Sequence, residues 1–67
     1  MKKICYKKLW KLLIDKDLKK KDLCLMTSIS PASMARMTRN KNVSTEQLVK
    51  ICTALDCGLS DIVEVVE

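Results

Sequence analysis

Residues 19–41 read KKKDLCLMTSISPASMARMTRNK, and the rest of the chain is organised around them. The stretch reads as two short helices with a tight joint. The first spans roughly Lys20–Thr27 and carries Leu23, Cys24 and Met26; Thr27, Ser28, Ile29 and Ser30 then break the pattern. Ser30 suits the N-cap of a second helix, and Pro31 suits its first position, where a missing N–H costs nothing. That helix runs from about Pro31 to Arg39, and Asn40 can adopt the left-handed conformation that ends it. Met34 and Met37, three apart, share one face. Ala32, Ser33, Arg36 and Arg39 are left pointing outward. A short helix with a small, then basic, outer face is suited to a DNA major groove.

The stretch resembles the helix-turn-helix of the lambda-repressor-like family, the Cro and phage-repressor superfamily whose bacterial members include xenobiotic-response-element type regulators. Cys24 fills the place of the family's small residue in the first helix, Ile29 that of the apolar residue after the turn, and Met34 that of the apolar residue inside the recognition helix. The likeness continues through VSTEQLVKICTALDCGLSDIV (residues 43–63), where the family has its fourth and fifth helices. It covers roughly Tyr6 to Val63. Three positions depart from the pattern. Ser28 stands where the family usually has glycine, Lys20 where a glutamine often touches the DNA backbone, and Lys19 where Thr or Ser usually caps the helix. The resemblance implies an all-α, compact five-helix domain over residues 1–67 that binds DNA, commonly on paired half-sites.

Elsewhere the chain is read from its periodicity. Met1–Cys5 is a basic lead-in, and a first helix runs from about Tyr6 to Lys16. Its apolar residues, Tyr6, Leu9, Trp10, Leu12, Leu13 and Ile14, outnumber one buried stripe. Either the C-terminal segment packs over the surplus or a partner subunit does. Leu18 plugs the core from the connector. Ser44 and Gln47 form a capping box opening the fourth helix, whose Leu48, Ile51, Cys52 and Leu55 recur at helical spacing. A turn follows over Asp56–Gly58 with Cys57 directed inward, then a short last helix from Leu59 or Ser60. Its VEVV ending alternates and is β-branched, so a terminal strand is the alternative.

Charge is divided unequally. Residues 1–41 hold twelve of the thirteen Lys and Arg against Asp15, Asp17 and Asp22, whereas beyond them Lys50 alone faces five acidic residues. Together with the helix pair, the basic part points to nucleic acid. Only Tyr6 and Trp10 are aromatic, which argues against a binder that stacks unpaired bases.

With no His and one Gly, the chain lacks an ordinary catalytic base and a phosphate-cradling loop, and it reads as a non-enzyme without cofactor or metal. The four cysteines follow no CxxC spacing, and the charged N-terminus does not read as a signal peptide. They read as reduced thiols of a cytoplasmic protein, with Cys24 and Cys52 buried and Cys5 the most reactive.

The expected function is therefore sequence-specific double-stranded DNA binding by a transcriptional regulator, a repressor. Ala32, Ser33 and Arg36 are expected at base edges; Lys20, Lys21, Arg39 and Lys41, with the N–H groups opening the second helix, at phosphates. A homodimer is expected on DNA, joined through Trp10 or Leu13, or through Val63, Val65 and Val66. A protein-interaction or antitoxin-type module retaining the fold is the alternative. A membrane-surface role for the basic, Trp-bearing first helix is a weaker third.

Overall fold

The computed structural model describes all 67 residues as β1 (Lys3–Cys5), α1 (Lys7–Asp15), α2 (Lys20–Thr27), α3 (Pro31–Thr38), α4 (Thr45–Leu55), a 3-10 turn (Leu59–Asp61) and β2 (Glu64–Val66). The five-helix, all-α expectation is corrected to four α-helices and a small antiparallel sheet. In the sheet Lys3 lies opposite Val66, Ile4 opposite Val65 and Cys5 opposite Glu64. The expected fifth helix closes after three residues, because Val63, Val65 and Val66 favour extended backbone and the N-terminal lead-in supplies a partner strand. A lone pair of short strands is marginal in water. Ile4 and Val63 support it here by packing against the core.

That core gathers all four α-helices, with Tyr6, Ile29 and Ile62 added from the segments beside them. Tyr6, Leu9, Leu13, Leu23, Ile29, Met34, Met37, Leu48, Ile51, Leu55 and Ile62 form one buried cluster, with Leu18 packed partly against it. The C-terminal segment does lie along α1, where Lys8 Nζ donates to the Ser60 carbonyl at 3.1 Å. The apolar surplus of α1 is thereby largely absorbed: Leu9 and Leu13 are buried, Trp10 and Leu12 half-buried, and Ile14 alone stays exposed. No helix is long and apolar enough to cross a membrane.

Every α-helix is followed by a non-glycine residue in the left-handed region: Asp17, Ser28, Asn40 and Asp56, with φ of 58°, 60°, 57° and 51°. The single glycine, Gly58, has φ −94° and takes no such position. Asp and Asn tolerate this region because their short polar side chains bond locally; Ser does so less well. Ser28→Gly is therefore expected to raise stability by up to about 1 kcal/mol in chemical denaturation. An unchanged or lower midpoint would show that the turn stores no strain.

Asn40 does more than end α3. Its N–H donates to the Met37 carbonyl and that of Lys41 to the Arg36 carbonyl, both at 2.9 Å, which closes the helix in a Schellman arrangement. Its Oδ1 accepts from the Tyr6 N–H at 3.2 Å, and the Tyr6 hydroxyl donates to the Lys41 carbonyl at 2.8 Å. Tyr6, expected inside the first helix, is instead its fully buried N-cap residue. Burial pushes its phenol above the usual range, which keeps the hydroxyl a donor. The start of α1 is thus latched to the end of α3.

Candidate nucleic-acid interface

The turn between α2 and α3 is satisfied from within. Thr27 is buried, its hydroxyl donates to the Leu23 carbonyl at 2.7 Å, and the same oxygen accepts from the Ile29 N–H at 3.4 Å. Ser30 caps α3 through the Ser33 N–H at 3.1 Å, with Pro31 at the first helical position. Met34 and Met37 are 5 % and 0 % exposed, so one face of α3 is anchored in the core and the opposite face must look outward. That outward face holds Ala32, Ala35, Arg36 and Arg39, all exposed, with Ser33 half-buried beside them.

The polar residues of this face are not equally free. The Ser33 hydroxyl accepts from Gln47 Nε2 at 3.1 Å and from the Ser30 hydroxyl at 3.2 Å. Arg36 Nη2 donates to the Asn42 carbonyl at 3.0 Å, strapping the α3–α4 loop while its remaining N–H donors stay available. An open cleft of about 350 Å3 lies between these elements, lined by Ser33, Arg36, Asn42, Val43, Ser44 and Gln47.

Lys20 is held between helices. Its ammonium sits 4.3 Å from the centre of the Trp10 ring and donates to Thr38 Oγ1 at 3.1 Å, tying α2 to both α1 and α3. Lys21, Arg39 and Lys41 are exposed with no carboxylate partner; the only ion pair joins Lys50 and Glu46, 4.0 Å apart and exposed. At the start of α2, the Asp22 carboxylate accepts the Lys19 N–H at 2.8 Å, so one donor of this N-terminus is already taken by the chain itself.

Three contacts that shape the site were not legible in the sequence. Half of the capping box at α4 forms, the Ser44 hydroxyl accepting from the Gln47 N–H at 3.2 Å, but the Gln47 side chain crosses to Ser33 instead of turning back. The pairing of Arg36 with a backbone carbonyl carries no sequence signature either. Thr38 had none as a partner of Lys20.

The thiols need one correction. Cys24 and Cys52, expected to be buried, are half-buried like Cys5 and Cys57, because each of the former lies one position round its helix from the buried Leu23 or Ile51. Cys24, Cys52 and Cys57 nonetheless pack against the core, and Cys5 does not. Burial, and then the neighbouring Cys52, push the Cys57 thiol above its ordinary range. Since the thiolate is the reactive form, alkylation of the folded protein followed by mass spectrometry is expected to modify Cys5 first and Cys57 last. Modification of Cys57 ahead of Cys5 would contradict that order. No group of three or more His, Cys, Asp or Glu side chains is placed to hold a metal ion.

A capped helix pair with a locked inner face and an outward basic face defines a helix-turn-helix unit. The chain belongs to the family of Cro/C1-type helix-turn-helix DNA-binding domains, whose family model matches residues 8–67. A crystal structure of the transcriptional regulator VanUg is similar at 42 % sequence identity with a TM-score of 0.95, over 97 % of this chain and 87 % of that one. Among curated proteins none matches. The protein is a DNA-binding domain and not an enzyme.

Proposed function

We propose that the protein is a sequence-specific transcriptional regulator, a repressor, that lays α3 in the major groove of double-stranded DNA. On this reading residues 1–67 act as one domain in the cytoplasm. Ala32, Ser33 and Arg36 meet base edges, and Lys21, Arg39 and Lys41 hold phosphates, with Lys20 contributing its remaining donors. The observation that carries the reading is the two-sidedness of α3: Met34 and Met37 are fixed in the core while the opposite face is exposed beside unpaired cations. The 42 % identity to a transcriptional regulator over nearly the whole chain supports the same conclusion. The interaction-module alternative rested on spare apolar surface of α1 and on the valine-rich tail; most of the former lies inside the fold, whereas Val65 of the tail stays exposed.

Selection of bound duplexes from a random pool tests this reading directly. A recurring half-site is expected; recovery of unrelated sequences with equal affinity would refute it. A domain of this size makes few phosphate contacts, so a two-fold dimer with half-site centres about 34 Å apart is expected on the selected DNA. Leu13, 2 % exposed, is spent in the protomer's own core, and Trp10 lies under Lys20, whereas Val65 is 69 % exposed. Val65→Glu is accordingly expected to weaken binding to paired half-sites by at least about 10-fold, and binding to a single half-site much less. Light scattering that shows a monomer, with footprinting of one half-site only, would remove the dimer from the reading.

A further inference from the structure

We infer that Gln47, on α4, sets the base preference of Ser33 by occupying the serine's lone pairs and leaving its hydroxyl proton for an acceptor on a base edge. This rests on the reading of α3 as the major-groove helix. A serine hydroxyl has one donor and two acceptor sites, and in solution it pairs with donors and acceptors alike. Here both acceptor sites are used, one by Gln47 Nε2 at 3.1 Å and the other by the Ser30 hydroxyl at 3.2 Å. Ser30 is itself held, because its oxygen also accepts the Ser33 N–H at 3.1 Å as the helix cap. Gln47 is held through its backbone, whose N–H donates to the Ser44 hydroxyl at 3.2 Å.

An ambidextrous side chain thereby becomes a pure donor. In the major groove a pure donor matches purine N7, guanine O6 or thymine O4, and it is mismatched to the amino groups of cytosine and adenine. Gln47 acts as a positioning residue, because its effect on the DNA runs through Ser33. It is half-buried in the cleft between α3 and the start of α4, and it is neutral, so its removal leaves the electrostatic attraction to phosphates intact.

The test is binding to the selected site and to all its single-base variants, at two salt concentrations, by Ser33→Ala, Gln47→Ala, the double variant and Gln47→Glu. Ser33→Ala is expected to weaken the selected site about 3- to 10-fold and to relax preference at one base pair. Gln47→Ala is expected to relax the same base pair about 2- to 5-fold, with unchanged salt dependence and no further effect in the Ser33→Ala background. It keeps the Ser44 cap, which uses the backbone N–H of residue 47, and circular dichroism verifies the fold. Gln47→Glu can only accept, so it turns the Ser33 proton inward; preference at that pair is expected to vanish on top of a uniform weakening from the added charge. If Ser33→Ala leaves every base preference intact, Ser33 does not read the groove, and the inference falls with that assignment. If Ser33→Ala relaxes one pair and Gln47→Ala relaxes none, or another pair, or adds to it in the double variant, the reading of α3 stands and the role of Gln47 alone is overturned. Uniform weakening across all sequences by both variants would assign the serine proton to a phosphate and also overturn it.

Discussion

Met37→Ala is expected to cost about 2–5 kcal/mol of stability and to lower the melting temperature by at least about 10 °C. The side chain is fully buried on the inner face of α3, and its removal leaves a void that short helices fill only by shifting. A chain of 67 residues has a total stability of roughly 3–10 kcal/mol, so the loss takes a large share of it. The consequence for DNA is specific. Because Met37 is buried while Ala32 and Arg36 lie on the exposed face and Ser33 at its margin, the folded fraction should keep the wild-type base preference while the binding-competent concentration falls. Urea titration against wild type measures the first part, and Met37→Leu, which preserves volume, should lose less than about 1.5 kcal/mol. A cost below about 1 kcal/mol for the alanine variant would mean that α3 is not anchored through Met37.

Arg36→Ala is expected to weaken binding to the selected site by about 1–3 kcal/mol and to relax preference at one base pair. Its bond to the Asn42 carbonyl sharpens the test, since Arg36 also holds the α3–α4 loop. Loss of the loop strap alone would weaken all sequences alike, as would loss of a phosphate contact. Lys21→Ala supplies the reference. Exposed and without a carboxylate partner, Lys21 should contribute equally to every sequence, and its removal should flatten the salt dependence by about 0.9 per contact in each half-site. Lys20 is a poorer reference, because Lys20→Ala also removes the contact with Trp10 and Thr38. Should Arg36→Ala retain the wild-type preference at every position, Arg36 would be the strap only, and Ser33 or DNA shape would carry the specificity.

The recognition unit was legible in the sequence because its rules are local. Ser30 caps and Pro31 opens α3, Asn40 ends it and Ser28 bends the chain before it, each through backbone groups within a few residues. The inner face follows from helical spacing, which puts Met34 and Met37 together in any context. The valine-rich ending shows the limit. Alternation and β-branching permitted a strand, but β2 exists because Lys3–Cys5, some sixty residues earlier, lies beside it.

The unequal freedom of the candidate contacts was decided at the same long range. Sequence spacing assigned Gln47 to its own helix end, as the half of a capping box whose side chain turns back. Only the packing of α4 beside α3 brought its amide to Ser33. Lys20 and Lys21 are alike in a sequence, yet one lies over Trp10 while the other is free. Within α2 and α3, helix ends, the turn and the buried stripe were thus determined by the sequence alone, since backbone sterics, caps and periodicity act over a few residues. Strand pairing, the partner of Ser33 and the availability of each cation were decided only by tertiary structure, because each depends on which distant side chain the packed core brings within about 3–4 Å.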